Sequence, residues 1–184
     1  KMNPLPKPSV DTGMGLERLT AVLQGENSNY HTDLLMPVIR HVEELCGKSY
    51  GGKEENSADP AADVSFRVIA DHIRSVAFLV AEGVLPSNEG RGFVLRRITR
   101  RAMRHGRMLG IEDFFLYRAA GVVTDMMGDA FPELRENLNY IARVTLGEEE
   151  RFAHTLSLGQ PRMDELSITT KDAGLSVVPG EEVF

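Results

Sequence analysis

Asp63-Val-Ser-Phe-Arg-Val-Ile-Ala-Asp-His-Ile-Arg-Ser-Val-Ala-Phe-Leu-Val-Ala-Glu82 is the stretch that decides the fold class. Its apolar residues Phe66, Ile69, Ile73, Val76 and Val80 recur every three or four positions, which keeps them on one side of a helix. The spacing predicts a core helix over residues 63–82, with Gly83 as its stop. A polar, glycine-rich loop follows over residues 83–92. It opens onto Arg91-Gly-Phe-Val-Leu-Arg-Arg-Ile-Thr-Arg-Arg-Ala-Met-Arg-His-Gly-Arg107, which carries seven arginines and no acid. At the helical turn angle, Arg96, Arg97, Arg100, Arg101 and Arg104 share one arc, and Leu95, Ile98, Ala102 and Met103 share the other. This predicts an amphipathic helix with an arginine polar face. Like charges at Arg96, Arg100 and Arg104 repel by roughly 0.2–0.5 kcal/mol per pair, so the face calls for an anion. Two sources are open. Guanidinium forks suit the phosphates of RNA, and the chain's own 27 acids are also available.

Outward from this pair of helices the pattern stays helical. Residues 1–8 hold three prolines and read as extended, and Ser9-Val-Asp11 reads as a short strand. A helix is expected from Gly13 to Gln24, with Leu16, Leu19, Val22 and Leu23 in period and Gly25 as its stop. A second is expected from Thr32 to Leu45, capped by Thr32 or Asp33, with Pro37 near its first turn and Gly47 beyond its end. Residues 47–62 show no apolar period and read as a mobile surface loop. Asp113 is placed to cap a helix over Phe114 to Met127, with Gly128 after it. Pro132 suits the first turn of a long helix running towards Leu158, which Gly147, Gly159 and Pro161 are expected to bend or break. Glu148-Glu-Glu-Arg151 reads as a solvated face. Residues 167–184 carry weak signals, and Gly180 onward looks like a first helical turn.

The 184 residues suffice for a core of ordinary size, and 42% hydrophobic with 26% charged residues is a globular mix. One cysteine, Cys46, excludes an internal disulfide and a zinc ribbon. It sits at a predicted helix end with no His or basic cluster in sequence, so reactivity is not expected. The five histidines, at 31, 41, 72, 105 and 154, form no H-x-x-x-H pair, and His72 reads as a buried, hydrogen-bonded core residue. The N-terminal sequence has no apolar signal-peptide core and no segment is long enough to span a membrane, so a cytoplasmic protein with no membrane partner is expected. The net charge of −6 argues against nucleic acid at first sight. Its distribution reverses that inference: −5 over residues 1–90, +7 over 91–107 and −8 over 108–184. Steering of an anion follows the local field.

Asp11-Thr-Gly-Met-Gly-Leu-Glu-Arg18 adds a second anion-binding pattern, a turn with two glycines leading into a helix start that carries an arginine. By itself it is a weak signal, since many structural turns hold two glycines. It lacks the ends of a Walker A loop and of a dinucleotide fingerprint.

Gly13-x-Gly15-x-Glu17-Arg18 resembles the third signature motif of class II aminoacyl-tRNA synthetases. With its flanks from Pro4 to Leu19, it is similar to the alanyl-tRNA synthetase family. Three further blocks agree in order and spacing: Arg67 to Ser75, Gly83 to Arg97, and Arg100 to Gly106. The resemblance covers nearly the whole chain and weakens after about Leu158. It implies a mainly α fold, with a helical tRNA-recognition domain over 31–184 preceded by a strand-loop-helix remnant of the catalytic domain over 1–30.

The resemblance also implies residue roles. Arg18 would contact the γ-phosphate and adenine of ATP, with Glu17 and Gly15 on the same ATP side. Asp11 would hold the amino group of alanine, and Gly13 and Gly15 would line a pocket for its methyl group. Without substrate, Asp11 suits a helix N-cap. Asn88 would read the G·U wobble pair of the alanine tRNA acceptor stem. An RNA minor groove is wide and shallow, and the exposed guanine amino group there is a donor for the Asn88 carbonyl. Without the resemblance, Asn88 reads as a turn residue. Arg91, Arg96, Arg97, Arg100, Arg101 and Arg104 would position the RNA through its phosphates. ATP with Mg2+ belongs to the intact enzyme, and no metal site is expected in this chain. The family's first two class II motifs precede Lys1, so the chain reads as the C-terminal half of an aminoacylation region, unable by itself to activate alanine. Two other readings stay open: a stand-alone helical RNA-binding module without enzymatic activity, and a helical adaptor whose arginines pair internally.

Overall fold

The computed structural model describes residues 13–52 and 59–183, and every described element is helical. Helix α1 spans Leu16–Gln24, and a 3-10 turn follows at Asn29–His31. The remaining helices are α2 (Met36–Cys46), α3 (Pro60–Ala81), α4 (Gly90–Leu109), α5 (Leu116–Met127), α6 (Pro132–Glu136), α7 (Leu138–Asp172) and α8 (Gly180–Val183). None of the described helices is long and apolar enough to cross a membrane. The strand expected at Ser9-Val-Asp11 lies outside the described residues, as does the middle of the loop expected over 47–62.

Helix α3 is the axis of the core. Phe66, Ile69, Ala70, Ile73 and Ala77 are fully buried on it, and it packs against α2, α4, α5, α6 and α7. It starts three residues earlier than its apolar period suggested, because Pro60 fits a first turn and the Asp59 carboxylate accepts the Ala62 N–H at 3.0 Å. The apolar arc of α4 faces the core as predicted, with Leu95, Ala102 and Met103 buried and Ile98 packed against them. Gly106 lets α4 approach Phe115, whose ring occupies the space a Cβ would need. Among the described residues α1 stands apart, with Ala21 alone buried. Leu16, Leu19, Val22 and Leu23 are in helical period but exposed.

Several boundaries differ from the sequence reading. Neither Thr32 nor Asp33 caps α2: residues 29–31 form a 3-10 turn that the buried Thr32 closes, and α2 begins at Met36 with Pro37 in its first turn. The long final helix is broken at Asn137, not at a glycine or proline. Asn137 ends α6, donates from Nδ2 to the Glu133 carbonyl at 2.9 Å, and precedes α7. Helix α7 then runs through Gly147, Gly159 and Pro161 to Asp172. Residues 157–165 are exposed, so water can satisfy the carbonyl that Pro161 leaves without an N–H partner.

Helix α5 starts at Leu116, and Asp113 does not cap it. Its cap comes from α7. Glu149 Oε1 accepts the N–H groups of Phe115 at 3.0 Å and Leu116 at 2.9 Å, and Oε2 accepts that of Tyr117 at 3.1 Å. A buried carboxylate at a helix start satisfies orphan N–H groups and meets the positive end of the helix. Burial pushes the Glu149 carboxyl above the ordinary glutamate range, against the N–H groups of Leu116, Phe115 and Tyr117, which favour its charge. The solvated face expected over residues 148–151 is therefore corrected: Glu148 and Glu149 are buried, and Glu150 and Arg151 are exposed.

Candidate functional site

The arginine helix and its preceding loop form the most strongly charged feature of the molecule. The loop folds back over the first turn of α4: Ser87 N–H donates to the Gly92 carbonyl at 3.1 Å, and Ser87 Oγ donates to the Glu89 carbonyl at 2.8 Å. Gly90 takes a left-handed conformation, φ 55°, which a side chain would strain. At Gly92 the constraint is space, since a Cβ there would collide with the Leu85 carbonyl and Ser87 Oγ. Gly92→Ala is accordingly expected to displace residues 85–89 while leaving α4 helical. Amide chemical-shift changes confined to the loop would record this; an unperturbed loop would refute the packing argument.

The seven arginines of residues 91–107 do not act alike. Arg91, Arg97, Arg101, Arg104 and Arg107 are exposed. Arg97 lies over the exposed Phe93 ring, 5.6 Å from its centroid. Arg96 and Arg100 turn towards Glu148 of α7, whose side chain is 0% exposed. Arg100 Nε donates to Glu148 Oε1 at 2.7 Å, and Arg151 Nη1 donates to Oε2 at 3.3 Å. Arg96 Nε sits 3.3 Å from Oε1, an ion-pair contact without the alignment of a hydrogen bond. Of the two sources open at the level of sequence, the internal acid is the one seen: Glu148 engages two arginines of the arc, and the others face solvent. Burying one carboxylate among three guanidiniums offsets its desolvation.

Asn88 is exposed at the tip of the loop, and its Oδ1 accepts from Arg96 Nη1. Arg96 Nη2 also donates to the Pro86 carbonyl at 3.3 Å. The loop amide is thereby joined to the arginine helix, an arrangement that spacing alone does not reveal.

The second predicted cluster is at α1. Gly13, Gly15 and Arg18 are exposed, while Asp11 lies outside the described residues. Glu17, half-buried, accepts from Arg74 Nη2 of α3, which ties α1 to the core. Its own backbone N–H, first, and then Arg74 hold the Glu17 carboxyl below the ordinary glutamate range, against partial burial. A groove beside it is lined by Gly15, Arg18, Asn29, Tyr30, Asp71 and Arg74. Its charged side chains are of both signs. Among the described residues no group of three or more His, Cys, Asp or Glu is arranged to hold a metal ion.

His72 donates from Nδ1 to Asp71 Oδ2 at 2.9 Å, so it is hydrogen-bonded as expected but only partly buried, and its buried Nε2 has no partner among the described residues. Cys46 closes α2, with its Sγ 3.8 Å from the Glu43 carbonyl oxygen. Sequence reasoning missed Glu148 and Glu149. Two adjacent acids on a long helix look solvated, and their partners lie far away in the chain.

The comparisons extend over the same residues. The family model described as tRNA synthetases class II (A) matches residues 1–184. The chain is similar to the alanine–tRNA ligase of Geobacillus thermodenitrificans, 50% identical over 181 residues, which is 98% of this chain and 20% of that protein. It is 49% identical over 184 residues to the alanine–tRNA ligase of Nitratidesulfovibrio vulgaris, covering 100% of this chain and 20% of the relative. The alanine–tRNA ligase of Desulfosudis oleivorans is 50% identical over 184 residues with the same coverage. The chain therefore spans about a fifth of the length of the curated relatives it matches.

Proposed function

Because the chain belongs to the class II tRNA synthetase family, we propose that it is the part of an alanine–tRNA ligase that carries the third class II motif and reads the acceptor stem of alanine tRNA. The parent reaction is ATP-dependent activation of alanine followed by transfer to tRNA, in the cytoplasm. The observation that carries the reading is the Asn88 amide, exposed at a loop tip and joined through Arg96 to a helix whose outer face is arginine. Phosphate contacts position a nucleic acid, and a polar side chain at a base edge specifies it. Arg91, Arg97, Arg101 and Arg104 supply the first kind of contact and Asn88 the second, through the guanine amino group of a G·U pair. Arg96 and Arg100, committed to Glu148, act from behind this surface.

On the other cluster, Arg18 would meet the triphosphate and adenine of ATP, with Gly15 allowing close approach. Asp11 would bind the ammonium group of alanine, and Gly13 would border its methyl group. Glu17 braces α1 against Arg74 and so fixes where Arg18 starts from. Mg2+ accompanies ATP and neutralises its phosphates when bound. Of the carboxylates that line the groove with Arg18, Glu17 is held by Arg74 and Asp71 by His72, so each already has a partner. No step is therefore assigned to the metal. The chain alone is expected to give no ATP–pyrophosphate exchange, since among its residues none is assigned to hold the α-phosphate.

The test of the readout is Asn88→Ala. One hydrogen bond at a base edge is worth roughly 1–1.5 kcal/mol, so the variant is expected to lose about a tenfold preference for a G·U over a G·C minihelix. Binding to the G·C duplex should stay within about twofold of the unaltered chain, because the phosphate contacts remain. Equal losses on both duplexes, measured by fluorescence anisotropy, would contradict the role.

A further inference from the structure

We infer that Glu148 is a specificity-determining positioning residue: held 60 positions from Asn88 in the chain, it fixes Arg96, and Arg96 fixes which face of the Asn88 amide meets the RNA. The inference rests on the wobble-reading role of Asn88. An asparagine amide carries a carbonyl acceptor and an NH2 donor of nearly equal size, and a free amide rotates to offer either. Such an amide discriminates poorly, since it can satisfy a donor or an acceptor at the same place. A guanidinium has donors only. With Arg96 Nη1 directed at Asn88, the carbonyl must face Arg96, because the flipped amide would set donor against donor. The carbonyl keeps a second lone pair for the guanine amino group.

Arg96 needs the same restraint. It is a long side chain with about 2 kcal/mol of rotamer entropy and sits among like charges on α4. Two of its nitrogens donate hydrogen bonds in different directions, Nη1 to Asn88 and Nη2 to the Pro86 carbonyl, while the guanidinium is held in ion-pair contact with Glu148 through Nε. Glu148 is the only one of these partners that is both charged and fully buried. It is anchored independently by Arg100 and Arg151. Glu148 also withholds Arg96 and Arg100 from phosphate, trading general RNA affinity for a fixed reading head.

This gives Glu148→Gln a signature that simple destabilisation does not share. The amide has similar volume but no charge, so it releases two arginines. The G·U to G·C preference of the full chain is expected to fall to within about twofold of the Asn88→Ala variant. At the same time affinity for the G·C minihelix should rise several-fold at low salt. The slope of log affinity against log salt should steepen by about 1 to 2, one phosphate for each freed arginine. A residue needed only for folding would lower both affinities and leave their ratio alone.

Arg96→Lys approaches the same joint from its other side: it keeps the charge but loses the fork, and it too is expected to lose the preference. It also serves as the test where Glu148→Gln lowers the helical circular dichroism signal. A preserved ratio in folded Glu148→Gln, or in Arg96→Lys, overturns the inference while leaving the Asn88 reading intact. No preference in the unaltered chain overturns the Asn88 reading, and this inference with it.

Discussion

Glu149→Ala is expected to lower the stability of the chain by about 3 kcal/mol, the sum of a lost helix cap and buried N–H groups left without acceptors. For a domain of this length that corresponds to roughly 6–12 °C in Tm. One carboxylate, 4% exposed, serves the N–H groups of Phe115, Leu116 and Tyr117 at the start of α5. Its removal leaves three donors at a buried helix end, where α5 packs on α2, α3 and α7. Glu149→Gln keeps one carbonyl acceptor and is expected to cost about half as much. Hydrogen exchange at Phe115, Leu116 and Tyr117 should accelerate before any other part of α5 responds. A Tm unchanged in Glu149→Ala would show that water replaces the cap without cost.

The same residue fixes the sign of a pH effect. Burial raises the Glu149 carboxyl above its ordinary value of 4.5. Between that value and the higher folded one, the folded state binds more protons than the unfolded state. Through this group, stability falls as pH rises across that window and is regained on acidification towards pH 4.5. Comparison of Glu149→Gln with the unaltered chain isolates the slope, since the other carboxylates are common to both.

Raising salt from 50 to 200 mM is expected to weaken RNA binding by about 10²-fold, for about four phosphates neutralised. The four are those set against Arg91, Arg97, Arg101 and Arg104, all of which face solvent. The loss would be larger if Arg96 and Arg100 also met phosphates, but Glu148 holds both. Arg101→Gln and Arg104→Gln should each lower the salt slope by a little under 1, with no change in the G·U to G·C ratio. The charge distribution favours one binding face, because −13 of flanking charge surrounds the +7 segment and repels RNA elsewhere. A weak salt dependence would mean that the arginine face is not the binding surface.

The parts of the fold that could be read from sequence were those with local causes. Phe66, Ile69, Ile73, Val76 and Val80 set α3 through their period, and Leu95, Ala102 and Met103 set the inner face of α4. Helix ends at Gly25 and Gly47 followed from residue type. The misreadings had long-range causes. Asp113 is close in sequence to the start of α5 and looks like its cap, but Glu149 reaches that start from α7 with better geometry. Glu148 and Glu149 share an acidic run that local rules assign to solvent, because charges are seldom buried without partners. Their partners lie 48 and 33 residues away for Arg100 and Leu116, beyond any periodic pattern. The site followed the same rule. Residue types announced an arginine face and a loop asparagine, while the division of arginines between Glu148 and solvent came only from packing.

Under the proposed function, the chain reads a wobble pair in an acceptor-stem duplex from one arginine-lined face. Titration of two minihelices differing only in G·U against G·C, at 50 and 200 mM salt, tests it most directly. The G·U duplex is expected to bind about tenfold tighter at both salts, with both affinities falling about 10²-fold at the higher one. Equal affinity for the two duplexes, or no binding to either at 50 mM salt, would contradict it.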